Sequence, residues 1–419
     1  MNFNYYDMEI KSLHVRNTGL FDSLDVKFNN KFNFIVGPNA SGKTSIIKNM
    51  ALALNPGSAN EFRFRDGSEI WIDFLYEEKL YRVGIGDKWV DKYIDYRSAS
   101  HRSWSSPPKE EGIISLTANN LEEKKIFFSP LFIGAFRKIS YKRVNGMTRD
   151  EIPEKKRTEY REKSTKLING NELPDVKQWL INRYFQIEKE WAVYEKQNWE
   201  WLLSHFKIIG PHGSDFNFVN IKRDLEPIFT IKGKECYLEE LSAGYQAILS
   251  IIFCIFDWVE STNEEDKMLI QQATGTIIID ELDAHMHPEW QLTIRDSLDV
   301  LFPNLQFIIS THSPHIVSSA KIGELLILPE HTGTLNLEPS TRTFSGWNTD
   351  QILEEIMGVK SLENKEYNSL INSALVDVEN KNIESLQENI HKLKEVSHSS
   401  DTIVSALEIK LAGLKLNKQ

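Results

Sequence analysis

Short apolar runs separated by Asn, Gly and Asp open the chain, and Ile10 to Val15, Leu24 to Phe28 and Phe32 to Val36 predict three strands. Glu69 to Tyr76, Leu80 to Ile85 and Ile126 to Phe136 extend the β character, with a Ser/Pro-rich loop at Ser98 to Pro108. From about Tyr141 the spacing changes to charged and aromatic stretches, and helices are expected over Val176 to Tyr194 and Trp199 to Phe206. β-type sequence returns from Phe216 to Tyr237. It is followed by Ala247 to Trp258, which predicts a buried helix, and by two strongly apolar strands, Thr276 to Ile279 and Phe307 to Ser310. The last section is helical, with patterns at Ile383 to Leu393 and Ile403 to Leu414. The expected organisation is therefore an α/β fold in four parts: 1–140, a helical insertion or arm over 141–206, a second β-containing part over 207–345, and a helical region over 346–419 suited to packing or partner docking.

Length adds that 419 residues are too many for one core of ordinary size, and an apolar content of 41% is ample for buried cores. The longest apolar run, Ala247 to Val259, is interrupted by Asp257 and is too short to span a bilayer. The start Met1-Asn2-Phe3-Asn4-Tyr5-Tyr6-Asp7 lacks the basic residues and cleavage site of a secretory signal, so a cytoplasmic protein with no membrane partner is expected. Cys236 and Cys254 form no Cys-x-x-Cys pair, which argues against structural zinc and a disulfide framework. A net charge of −11 argues against a protein that coats nucleic acid with its whole surface. Between Arg137 and Lys166, however, 11 Lys/Arg stand against 5 Asp/Glu, either a solvated helical face or a local surface for DNA phosphates.

The chemistry begins at Gly37-Pro38-Asn39-Ala40-Ser41-Gly42-Lys43-Thr44, directly behind the strand Phe32 to Val36. This fits G-x-x-x-x-G-K-[ST] with strand before and helix after, a loop whose backbone N–H groups converge on phosphate oxygens at a helix N-terminus. The nucleotide-binding residues expected are Gly37, Asn39, Ser41, Gly42, Lys43, Thr44 and Ser45. Lys43 is placed to reach the β- and γ-phosphates of a nucleoside triphosphate, and Thr44 to offer its hydroxyl to Mg²⁺. The strand Thr276 to Ile279 runs into Asp280-Glu281. Such a pair supplies a metal-side carboxylate, Asp280, and a group that orients and deprotonates the attacking water, Glu281. Two further segments complete the order. Leu241-Ser242-Ala243-Gly244-Tyr245-Gln246 precedes the buried helix, where on its own it reads equally as a Ser-capped core helix, and Phe307 to Ser310 ends in Thr311-His312-Ser313-Pro314.

These four motifs, over roughly Met8 to Ser318, resemble those of ATP-binding-cassette ATPases, specifically the soluble branch that includes the SMC, Rad50 and RecF proteins. The resemblance implies an ATPase head with a mixed β lobe and a parallel-sheet phosphate-loop core. It implies a head-to-tail dimer or higher oligomer in which the LSGGQ-like Ser242, Ala243, Gly244 and Gln246 of one copy cap the γ-phosphate held by another. His312 resembles the switch histidine that senses the γ-phosphate, and Asp283 and His285 fall in the dimer-contacting D-loop. His285 and His287 with Glu289 offer a competing metal reading, which their place directly after the acidic pair disfavours. The stretches Asp280 to Gln291, Phe302 to Pro314 and Trp347 to Leu353 are similar to bacterial overcoming-lysogenization-like ATPases, including the ATPase subunits of antiphage systems such as Septu, certain retrons and PARIS. Those relatives imply a separately encoded nuclease partner of HNH or TOPRIM type. A RecF-like DNA-binding ATPase of repair or recombination is the alternative the same motifs allow, with Arg137 to Lys166 gripping DNA. One departure stands out: relatives carry a Gln on the strand between the phosphate loop and the insertion, whereas this chain has none before Gln178. Slow or partner-dependent hydrolysis is the expectation that follows.

Overall fold

The computed structural model describes residues 8–55, 64–86, 88–90, 102–118, 120–169, 175–211, 215–263, 269–330, 333–359, 365–398 and 401–416. The N-terminal stretch 1–7 and residues 98–101 of the Ser/Pro-rich loop lie outside them. The chain divides into two compact units, Met1–Gly358 and Val359–Gln419. Residues 346–358, with the helix Thr349–Glu355, belong to the first.

The first unit holds two main sheets. Five parallel strands run in the order Leu325–Ile327, Phe32–Val36, Leu305–Ser310, Gly275–Ile279 and Leu131–Ile133. Four of them, Phe32–Val36, Leu305–Ser310, Gly275–Ile279 and Leu131–Ile133, are buried at every position, which is why they read as mainly apolar runs with single polar residues such as Asn33 and Gln306 rather than as alternation. The six-stranded sheet runs Thr334–Leu337, Phe21–Lys27, Glu9–Thr18, Phe64–Tyr76, Lys79–Ile85, Ile113–Leu116, antiparallel through its four middle strands. Its strand Phe21–Lys27 alternates buried and exposed positions, the signature of a sheet with one face on the core. The helix Lys43–Leu54 touches strands of both sheets. Gln306, fully buried, ties them together: its amide accepts from Ile10 N at 2.9 Å and donates to the carbonyls of Ile10 and Asn29 at 2.8 and 2.7 Å. The expected mixed lobe and parallel core are both present.

Two predicted elements are shorter than the pattern suggested. Of Ile126 to Phe136 only Leu131–Ile133 is strand, because Pro130 removes a ladder donor just before it and the chain leaves the sheet after pairing Ile277 to Ile279. The helix expected over Val176 to Tyr194 ends at Gln186. Turns closed on the carbonyls of Gln186 and Lys189 interrupt the ladder before Val193–Ser204 begins.

The insertion is a packed lobe and not a free arm. Its helices Pro153–Glu162 and Val176–Gln186 lie against the helix Ala243–Thr262. Glu260, on that helix and 4% exposed, accepts from Trp179 Nε1 at 2.9 Å and Asn198 Nδ2 at 3.0 Å and pairs with Arg183. Such a buried carboxylate is tolerated because its oxygens are satisfied. Ala243–Thr262 is, among the described residues, the one helix long and apolar enough to cross a membrane, and 83% of its apolar 18-residue stretch is buried in the fold. The basic stretch is largely spent on this packing: Arg137, Arg157 and Arg161 are buried, and Lys142, Lys155 and Lys163 pair with Asp175, Glu151 and Glu159. As a surface for tracking DNA phosphates, Arg137 to Lys166 is therefore weaker than its composition suggested.

The second unit is three helices, Lys365–Glu379, Ile383–Val396 and Thr402–Leu416, around Ala374, Leu386, Ile390, Leu393, Val404 and Leu407. Asn382 caps the middle helix by accepting from Ser385 N at 3.3 Å.

Candidate nucleotide-binding site

The phosphate loop is gripped from both sides. Gly37 has φ +147°, and a Cβ there would lie 2.6 Å from the Leu328 carbonyl oxygen; Gly42 has φ +101°, and its Cβ would lie 2.5 Å from the Phe21 ring. Only glycine fits either place. The helix Lys43–Leu54 starts on Gly42 with no side-chain cap and no acidic residue in its first turn, so its free N–H groups and positive end face the loop. Lys43, 4% exposed, donates to the carbonyls of Gly37 and Pro38, both at 2.8 Å, and holds the loop curled. Burial pushes its ammonium down from the usual lysine range, against the pull of Asp283, Asp280 and Glu281. Ser41 Oγ is buried without a partner, while Asn39 at the tip is exposed and Ser45 half-buried.

The acidic pair stands beside this loop. Asp280 Oδ1 accepts from Thr44 Oγ1 at 3.2 Å and from the Ser310 hydroxyl, which in turn accepts from Glu281 N at 2.8 Å. Glu281 sits at φ +50°, where the backbone turns out of the strand. Asp283 accepts from Thr311 Oγ1 at 2.6 Å and from His312 N at 3.0 Å, which fixes the histidine loop against the acidic turn. Partial burial and the Lys43 charge push the His312 imidazole below its ordinary value, opposed by Asp283, Glu281 and Asp280.

A second face lies at the start of the helix Ala243–Thr262. Ser242 is its N-cap residue yet makes no side-chain cap bond, and both Ser242 and Ala243 are exposed. Gly244 is required by crowding: a Cβ there would meet the Trp290 ring at 2.6 Å and the His285 carbonyl at 3.0 Å. His285, exposed at φ +67°, thus abuts the signature-like turn, and Asp283 to His285 spans from one face to the other. Gln246 departs from the expected outward role. It is 6% exposed, accepting from Ile139 N at 3.1 Å and donating to the carbonyls of Glu239 and Leu241 at 3.0 and 2.9 Å. His287 caps its own helix through Glu289 N, and no metal-binding group of His, Cys, Asp and Glu occurs among the described residues.

The residue that the motif reading missed is Arg137, four positions beyond the strand Leu131–Ile133. It is 1% exposed, and its guanidinium lies on the backbone of the acidic turn, donating to the carbonyls of Asp280 at 3.2 Å, Leu282 at 3.4 Å and Glu281. Burial pushes it down to about 10, opposed by Asp283, Asp280 and Glu281. The missing glutamine marks this region as unusual, but among many cations in one stretch the pattern does not single out Arg137.

Residues 32–318 match the protein family AAA_21, described as "AAA domain, putative AbiEii toxin, Type IV TA system". The chain is 26% identical over 415 residues to a Septu protein PtuA of Bacillus thuringiensis, covering 96% of this chain and 98% of that protein. It is 33% identical over 119 residues to the retron Vc95 probable ATPase of Vibrio cholerae serotype O1 biovar El Tor, 28% of this chain and 23% of that one. Among solved structures, an SMC head bound to the C-winged helix domain of ScpA matches with a TM-score of 0.47 and 13% identity, over 80% of this chain and 98% of that one.

Proposed function

The chain belongs to the AAA_21 family, and from that premise we propose that it is an antiphage-defence ATPase that works as a switch, two copies closing head to tail around ATP to control a separately encoded nuclease. The observation that carries this reading is the asymmetry of the two faces: the phosphate loop with Lys43, Thr44 and Asp280 is built and satisfied, whereas Ser242 and Ala243 present an uncapped helix N-terminus to solvent. A γ-phosphate brought by a second copy is the anion such a terminus suits.

Lys43 leaves the loop carbonyls to meet the β- and γ-phosphates, and the buried Ser41 hydroxyl gains a partner. Thr44 Oγ1 and Asp280 Oδ1, hard oxygen donors side by side, would hold Mg²⁺, which when bound supplies charge neutralisation at the phosphates. Glu281 takes the proton of the attacking water, and His312 reports the γ-phosphate to Asp283 and the acidic turn. The closed dimer is favoured only while ATP gives it extra contacts, so hydrolysis reopens it. The C-terminal helices of the second unit are the proposed docking region for the nuclease, whose HNH or TOPRIM class follows the Septu and PARIS relatives.

Light scattering with Mg²⁺ and a non-hydrolysable ATP analogue tests the switch. The expected result is a doubling of mass with the analogue and a monomer with ADP. An unchanged mass in both nucleotides overturns it.

A further inference from the structure

The segment Arg137 to Ile139 joins the two faces of the molecule. At one end the Arg137 guanidinium gathers the carbonyls of three successive residues, Asp280, Glu281 and Leu282, together with Ala135 O at 3.4 Å. At the other, two residues on, Ile139 N donates to Gln246, whose amide is bonded to the carbonyls of Glu239 and Leu241 on the approach to Ser242. We propose that Arg137 is the positioning residue of ATP hydrolysis in this chain, and that with Gln246 it transmits the state of the acidic turn to the signature face.

Three considerations carry this. Glu281 holds a positive φ, a strained state for a residue with a side chain, and the guanidinium bonded to its carbonyl helps hold that turn together with the Ser310 hydroxyl on Glu281 N. Because Arg137 binds carbonyls and not carboxylates, it occupies none of the carboxylate oxygens of Asp280 and Glu281 while its charge offsets theirs in a buried place. A guanidinium offers five donors in a rigid fork, so one side chain spans three carbonyls, and a lysine ammonium cannot reproduce that. The contact to Gln246 is a direct bond from the same three-residue segment, so a shift in the acidic turn has a short physical route to Leu241 and Ser242.

This inference rests on the switch reading, and the experiment separates the two. Wild type, Arg137→Lys, Gln246→Met and Gln246→Glu are compared for fluorescent-ATP affinity, turnover, and the ATP concentration that half-dimerises the protein. Arg137→Lys is expected to keep ATP affinity within about threefold while turnover falls about 100-fold, the cost of a slightly misplaced reacting group. Gln246→Met is expected to bind ATP normally yet need at least about tenfold more to dimerise. Gln246→Glu, which keeps the acceptor for Ile139 N but sets a buried carboxylate against the carbonyls of Glu239 and Leu241, should need at least as much ATP to dimerise as Gln246→Met. Affinity and turnover falling together in Arg137→Lys, or Gln246→Met dimerising like wild type, overturns the proposal. If Arg137→Lys does not fold, dimerisation of the two Gln246 variants decides whether the proposal stands. If wild type turns over ATP but never dimerises, the switch reading fails and Arg137 is judged on turnover alone.

Discussion

The phosphate-loop face and the signature face of this chain are finished to different degrees. In the first, Lys43 is bonded to Gly37 and Pro38, Thr44 to Asp280, and Asp283 to Thr311 and His312, so the loop, the acidic turn and the histidine loop are held together by the chain's own contacts. In the second, the N-cap Ser242 caps nothing and lies exposed, even though Gly244, Tyr245 and Gln246 directly behind it are packed against Trp290, Phe216 and Ile139. A prebuilt cradle costs little reorganisation when ligand binds, while an uncapped terminus leaves N–H groups that only an incoming anion or water satisfies. The contrast is what an interface-shared site requires of a single copy.

Four measurements break or sharpen that contrast. The largest effect is expected from Glu281→Gln: turnover falls about 100- to 10,000-fold with ATP still held, so the ATP-bound dimer accumulates on a sizing column. Equal assembly of this variant and wild type, with and without ATP, counts against a hydrolysis-driven opening. Next comes Lys43→Ala, which removes the charged donor from the built face and weakens fluorescent-ATP binding at least about 100-fold. Ser242→Arg puts bulk and charge on the unfinished face. Dimerisation should then require at least about tenfold more ATP while the monomer binds nucleotide within about threefold of wild type, and a parallel loss of both would mean the two faces are not separate. The smallest effect concerns pH. His312 favours its neutral form in the free protein, so its contribution to stability is complete above the unfolded value near about 6.5 and is lost as pH falls through the lower folded value. A nearby γ-phosphate favours the imidazolium, and affinity for ATP relative to ADP should rise about two- to threefold between pH 8 and pH 6 in a competition titration, a trend absent in His312→Asn.

How far the one-dimensional pattern reaches depends on how local the cause is. The parallel core is readable because its strands are buried on both faces and therefore predominantly apolar without alternation, and the loop because its glycines, Lys43 and Thr44 lie within eight residues of one another. Ser242, Asp280 and His312 can be named because each sits where a strand ends or a helix begins. Arg137 cannot, since its meaning comes from carbonyls more than a hundred residues away. Gln246 matches the motif by spacing, but its three partners, the Ile139 amide and the carbonyls of Glu239 and Leu241, converge on it only in the folded chain. The basic stretch misleads in the same way, because counting charge says nothing about whether Arg157 and Arg161 point inward.

The walls around Gly37 and Gly42 also bear on what a mutation in this loop would mean. One wall is the chain at Leu328, directly after the neighbouring strand of the parallel sheet, and the other is Phe21, in the mixed sheet, so Gly37 is dictated by strand pairing within its own sheet and Gly42 by the closing of the mixed sheet onto the loop, before ATP has any say. An alanine at either position is therefore an architectural lesion, to be read in a melting curve ahead of a binding curve, and the familiar nucleotide motif doubles here as the keystone of the head.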